Sequence, residues 1–145
     1  MIEIYTDASV FSGKAVATCF VITDSNFLGY KVTELENVST SLEGELEGAI
    51  AAIEYVRDVL ALDKVTLYSD SISLIRLTQT NLKTSKNKQA KLHKVRLSYL
   101  QTLVKDYNIK LSLIQGHSVD HNPNKVVDLI SNSVLRYRRK ENSNG

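Results

Sequence analysis

The 145 residues contain one cysteine, one proline and no tryptophan, and the scarcity of cysteine already closes off several classes of protein. A lone thiol can neither form an intrachain disulfide nor build a thiolate metal site. Cys19 lies inside the apolar run AVATCFVI and reads as core. Long hydrophobic runs are also missing. None approaches the roughly 20 residues needed to cross a bilayer. The opening MIEIYTD puts acidic residues where a signal peptide needs basic ones, so the expectation is a cytoplasmic protein with no membrane partner. Charge of one sign is scarce too: the net charge is +2, too small by itself to mark a nucleic-acid binder.

What is present suffices for one folded domain. With 43% hydrophobic residues a chain of this length can bury a real core. No internal repeat or linker divides it, so one domain is expected over residues 1–140, with 141–145 as a disordered tail. The first third reads as strands: IEIYTD, then AVATCFVI, apolar on both faces, then FLGYKVTEL, separated by short turn-forming stretches that suit an antiparallel meander. The period then changes to about 3.6 residues. Leu42, Leu46, Ala49, Ile50, Ile53, Val56 and Leu60 form one stripe, which predicts a helix over 42–60 capped by Thr40 or Ser41. KVTLYSD is a short strand and SISLIRLTQ a short helix capped by Ser69, Asp70 or Ser71. A further helix carries Leu92, Val95, Tyr99, Leu103 and Tyr107. IKLSLIQG is a last strand, GHSVDHNPN a loop, and residues 125–138 a final helix. This order implies an α/β fold with a five-stranded mixed sheet, three strands antiparallel and then two parallel, with helices on both faces.

In such sheets, sites gather at the carboxyl ends of the parallel strands. Asp7 ends the first strand and Asp70 the fourth, so both would emerge at one edge of the sheet. Each also has a structural reading, an Asx turn for Asp7 and a helix cap for Asp70. Among the glutamates of the long helix, Glu45 falls on a flank of the buried stripe beside Ala49, Ala52 and Val56. Glu43, Glu47 and Glu54 turn away from that flank, and the helix dipole favours an acidic first turn in any case. Gly44, Gly48 and Ala49 are small enough to let this turn lie close against the sheet. Asp128 points away from Val126, Val127, Ile130 and Val134, so only its place in the first turn of the last helix suggests a role. A run from Lys83 to Arg96 carries six basic residues and no acidic one, and RYRRK adds a second cluster. These are either solvated surface or phosphate contacts, the latter through Lys86, Lys88 and Lys91. His93 in this run reads as a surface residue, and His121 as a loop neighbour of the site.

Taken in order, these segments resemble type 1 ribonuclease H, the enzyme that cuts the RNA strand of RNA/DNA hybrids. IYTDAS resembles the family's TDGS and supplies Asp7. TSLEGELEGAIAAI resembles TNNxAELxAAI and supplies Glu45. LYSDS resembles TDS and supplies Asp70. IQGHSVDHNPNKVVDLI resembles the GHxG...NExAD loop and helix, supplying His117, Asn124 and Asp128. The resemblance spans nearly the whole chain and implies the ribonuclease H-like fold. It makes Asp7, Glu45, Asp70 and Asp128 metal ligands for two Mg²⁺ or Mn²⁺ ions, with no organic cofactor implied. Hard carboxylate oxygens suit such ions, and a pair of them about 4 Å apart can activate water and stabilise the leaving 3′ oxygen. The same resemblance gives His117 a role in proton transfer or product release. Polar groups that could sense the RNA strand are Ser9, Ser12, Gly13, Thr40, Ser41, Ser71 and Asn124. The chain departs from the family pattern in several places. Ala8 replaces a glycine, Ser41 and Leu42 replace an asparagine pair, and Lys125 replaces a glutamate. The loop after His117 is one residue longer, and no tryptophan marks a basic handle. The other readings of the same residues are a nuclease or resolvase of this fold acting on DNA, and a non-catalytic nucleic-acid-binding relative.

Overall fold

Three strands open the chain: β1, Ile2–Phe11, β2, Lys14–Thr23, which is buried on both faces from Ala15 to Cys19, and β3, Asn26–Glu36. They come from a computed structural model that describes residues 2–23, 26–61 and 64–114. Ser12 and Gly13 join β1 to β2 with φ of 49° and 76°, so both take the left-handed conformation that a two-residue hairpin turn needs to match strand twist. This tight turn carries pairing out to Phe11 and Lys14. Asp7 is therefore not at the end of its strand, as the sequence suggests, but in its middle.

Thr40 caps α1, Ser41–Tyr55, its hydroxyl accepting from the Glu43 amide at 3.2 Å. The apolar stripe continues to Leu60 as expected, but the helix does not stay α. Val56–Leu60 widens into a π-helical turn, closed by Ala61 in the left-handed conformation. After β4, Val65–Ser69, come α2, Ile72–Thr78, α3, Lys88–Leu92, α4, Lys94–Asp106, and β5, Lys110–Leu113. The sheet runs β3-β2-β1-β4-β5, with β1 parallel to β4 and β4 parallel to β5. This is the mixed five-stranded sheet that the sequence implies. The expected last helix, over 125–138, lies outside the described residues. No described helix is long and apolar enough to cross a membrane.

The main core lies where α1 and α4 meet the sheet. Ile4, Val21, Leu46, Ile50, Ile53, Leu67, Leu74, Leu97 and Leu100 are all buried in it, and Cys19 joins them. Burying each such aliphatic side chain contributes about 1.5–3 kcal/mol. One expected stripe differs in the fold. The helical run breaks at His93, whose φ of −107° and ψ of 23° interrupt the helix and reset its phase. Within α4 the core face carries Leu97 and Leu100 together with the expected Leu103, whereas Leu92, before the break, and Val95, on the far side of α4, are 71% and 80% exposed. His93 is itself only partly exposed, its Nε2 buried without a hydrogen-bond partner, so it is not the plain surface residue its basic surroundings suggest.

Close contact between α1 and the hairpin depends on glycine. A Cβ on Gly44 would sit 2.9 Å from Val10 Cγ2, and one on Gly48 3.1 Å from Ala17 Cβ. Both glycines therefore let the first turns of α1 press against β1 and β2, the approach that brings Glu45 to the sheet.

Candidate metal centre

The parallel pairing of β1 with β4 runs from Ile2↔Val65 to Tyr5↔Tyr68. Asp7 and Asp70 each lie two residues beyond that last pair, and so reach the same edge of the sheet. Glu45 descends on them from α1. One carboxylate oxygen from each of the three residues lies within 4.8 Å of the others. Asp7 and Glu45 are 7% and 8% exposed, while Asp70 opens to solvent.

Neighbouring residues fill the structural roles that the aspartates could have taken. Ser71, not Asp70, caps α2, its Oγ accepting from the Leu74 amide at 3.2 Å, and Ser69 Oγ accepts from the Ser71 amide at 3.1 Å. Asp7 is in a strand, not a turn, and its Oδ1 accepts from the Ala8 amide at 2.9 Å. The other glutamates of α1 have ordinary partners. Glu43 accepts from the Ser39 hydroxyl at 3.0 Å, Glu47 from Arg96 Nε and Nη2 at 2.6 and 2.7 Å, and Glu54 from the Tyr99 hydroxyl at 3.4 Å. Glu45 Oε2, by contrast, is buried with no hydrogen-bond partner.

Burial is the largest reason the Glu45 carboxyl titrates far above the usual range, at about 9, followed by the negative charges of Asp7 and then Asp70. The Ala8 amide opposes the shift only in part. Three acidic groups converge and one buried oxygen lacks a donor, so the cluster is short of positive charge. A divalent cation with oxygen preference fits that deficit. Asp7, Glu45 and Asp70 are the described residues that would hold it.

The remaining candidates are placed as follows. Ser9 lies two residues after Asp7 in β1, and Ser12 and Gly13 form the exposed hairpin turn. Thr40 and Ser41 open α1, and Ser71 opens α2. The hydroxyls of Thr40 and Ser71 are engaged in capping. Lys86, Lys88 and Lys91 are exposed, and Asn87 caps α3 in their midst by accepting from the Gln89 and Ala90 amides. His117, His121, Asn124 and Asp128 lie outside the described residues. A feature that the sequence pattern did not single out lies two residues before each aspartate: Tyr5 and Tyr68 stack with ring centroids 4.9 Å apart and planes 12° from parallel. Its only signal in the sequence is the same residue two places before each aspartate.

Solved structures share this architecture. The N-terminal RNase H domain of rv2228c from Mycobacterium tuberculosis, crystallised as a maltose-binding-protein fusion, superposes with a TM-score of 0.73 at 18% identity, covering 97% of this chain and 96% of that one. RNase H1 from the halophilic archaeon Halobacterium salinarum NRC-1 gives 0.69 at 17% identity, covering 93% and 97%. LC11-RNase H1, solved in complex with an RNA/DNA hybrid, gives 0.70 at 20% identity, covering 92% and 95%. No curated protein matches the sequence. The family model for RNase H matches residues 1–136, a span that contains all three converging carboxylates. The chain belongs to the RNase H family of nucleases.

Proposed function

We propose that the protein hydrolyses the RNA strand of RNA/DNA hybrids with the help of two divalent ions, Mg²⁺ or Mn²⁺. The observation that carries this reading is the convergence of Asp7, Glu45 and Asp70 to within 4.8 Å in a chain of the RNase H family. Asp128 is the proposed fourth ligand. The hybrid as substrate is supported by the family and by the likeness to an RNase H1 crystallised on such a hybrid.

Bound ions of this kind supply charge neutralisation at the scissile phosphate and a lowered pKa for the attacking water. The protein's own residues supply the rest. Asp7 and Glu45 present acceptor oxygens from a buried, rigid corner where sheet and helix meet, so little side-chain freedom is lost when they bind. Asp70, more exposed, holds the side open to substrate. Glu45 must give up its proton to act as a ligand, and the same burial that raises its pKa makes that step depend on a cation. His117 is proposed to transfer a proton near the leaving group. Selectivity for the RNA strand is assigned to the polar groups of Ser9, Ser12, Gly13, Thr40, Ser41, Ser71 and Asn124, with Lys86, Lys88 and Lys91 contacting phosphates.

The test is substitution at Asp70, the least buried of the three described ligands. Asp70→Asn removes a charge without changing shape, and metal-dependent cleavage of a labelled RNA strand in a hybrid should fall to background. Near-normal turnover in that variant would contradict the assignment.

A further inference from the structure

We propose that the stacked pair Tyr5 and Tyr68 is a positioning clamp for the metal ligands, holding Asp7 and Asp70 at coordinating distance where strands β1 and β4 part. This role rests on the reading of Asp7, Glu45 and Asp70 as a cation site.

Backbone pairing between β1 and β4 ends at Tyr5↔Tyr68. Beyond that point the two strands bond to different partners. β1 continues to Phe11 paired only with β2, and β4 stays with β5 through Ser69↔Leu113, followed by the Ile114 amide donating to the Ser69 carbonyl at 2.9 Å. The two aspartates are carried by these diverging segments. Strand alternation puts Asp7 on the face of Tyr5, about 6.6 Å along β1, and Asp70 follows directly on the end of β4, two residues after Tyr68. The ring pair thus stands on the last paired residues of β1 and β4 before the carboxylates.

The geometry of the stack suits that task. Ring centroids 4.9 Å apart match the spacing of neighbouring strands, about 4.8 Å, so the nearly parallel rings stand side by side above their own strands. They therefore keep β1 and β4 at ordinary strand spacing up to the fork. Tyr5 is held in turn by its hydroxyl, which donates to Glu3 Oε2 at 2.8 Å. Opposing this is the repulsion between the Asp7 and Asp70 carboxylates, whose oxygens lie within 4.8 Å of each other, which pushes the fork open when no cation is bound. A clamp at the fork resists that force at its base. No backbone hydrogen bond between β1 and β4 does so further out among the described residues.

Such a clamp should give a particular pattern of loss. Tyr68→Ala should weaken Mn²⁺ binding by about two- to tenfold, the fold-change equivalent of one aromatic pair. Turnover of a hybrid at saturating Mn²⁺ should stay near that of the unsubstituted protein, because the ion restores the ligand spacing. Tyr68→Phe keeps the ring and should bind Mn²⁺ like the unsubstituted protein. If Tyr68→Ala does not fold, Tyr68→Leu replaces the volume without a flat ring and should show the same weakening. Calorimetric Mn²⁺ titration of each purified full chain, alongside thermal unfolding without metal, makes the measurement. Equal Mn²⁺ affinity in Tyr68→Ala or Tyr68→Leu, with only a lowered unfolding temperature, would overturn the clamp and leave the metal site intact. Absence of Mn²⁺ binding in the unsubstituted protein would overturn the metal site, and the clamp with it.

Discussion

Glu45 and Glu47 stand two residues apart on α1, yet Glu47 is held by both nitrogens of a forked Arg96 side chain while Glu45 is buried against two other carboxylates with one oxygen lacking a donor. The difference separates two substitutions that look alike in sequence. Glu45→Gln should abolish metal-dependent hydrolysis and leave the metal-free fold at least as stable, since it replaces a carboxyl that the fold must hold protonated above its ordinary range with a neutral group of the same shape. Glu47→Gln should keep most of the turnover. Its loss of stability should be about 0–1 kcal/mol, as for exposed ion pairs. Turnover assays and chemical unfolding of both variants check this, and equal loss of activity would mean that the wrong face of the helix has been chosen.

Stability of the metal-free protein should fall as pH rises. Glu45 is held protonated in the fold up to about 9, against an ordinary value of 4.5. Above 4.5 the unfolded chain releases this proton while the folded one keeps it, so each rise in pH favours unfolding until the folded carboxyl also ionises near 9. The contribution of Glu45 is complete below 4.5 and lost across that window. Unfolding midpoints at about pH 5 and about pH 8 should therefore differ more in the unsubstituted protein than in Glu45→Gln. Adding Mg²⁺ or Mn²⁺ should raise stability at the higher pH and narrow the gap.

Gly44→Ala tests whether close helix-to-sheet packing sets the position of Glu45. Alanine favours helix by about 1 kcal/mol over glycine. The new methyl would nevertheless meet Val10 Cγ2 at 2.9 Å, and overpacking of this kind typically destabilises by about 1–3 kcal/mol. A net loss of stability and of turnover is expected, with both partly restored in the Gly44→Ala, Val10→Ala double variant. An unchanged Gly44→Ala protein would show that α1 can shift without moving its ligand.

Much of this site is legible in the sequence. Glu45 separates from Glu43, Glu47 and Glu54 because a helical wheel depends only on spacing, and the small residues Gly44 and Gly48 foretell the close approach. The mixed character of the sheet, antiparallel and then parallel, follows from the change of period after Ser41. Other features depend on where regular structure is interrupted, which periodicity cannot show. The break at His93 and the true core face of α4 hide Leu97 and Leu100, and the positive φ pair at Ser12 and Gly13 carries β1 past Asp7. The Tyr5 and Tyr68 stack depends on the register between strands more than sixty residues apart, which pattern along one strand does not contain.

The basic run should act through phosphates. Lys86, Lys88 and Lys91 are exposed on and beside α3, in a stretch from Lys83 to Arg96 that holds no acidic residue. Replacing all three with alanine should weaken hybrid binding and flatten its salt dependence, by about 0.9 of log-log slope for each phosphate no longer neutralised on a B-like duplex. Binding isotherms at several salt concentrations measure this, and an unchanged slope would return the segment to solvated surface.

His117→Ala should lower turnover by roughly 10²-fold or more, the usual effect of losing a general acid or base, while metal affinity changes little. Steady-state kinetics at several Mn²⁺ concentrations would reveal the opposite pattern, weaker metal affinity with normal saturated turnover, if His117 were a ligand.

Everything proposed for this site meets in a single cleavage assay, with one sequence presented as RNA/DNA, RNA/RNA and DNA/DNA duplexes in Mg²⁺ and in Mn²⁺. A two-metal site attacks phosphodiesters generally, so selectivity must come from groups that sense the 2′-OH and the groove. Cutting is expected in the RNA strand of the hybrid, dependent on added metal and absent in Asp70→Asn, with the DNA duplex left whole. Equal cutting of the DNA duplex and the hybrid would refute the proposed substrate and favour a DNA nuclease of the same fold.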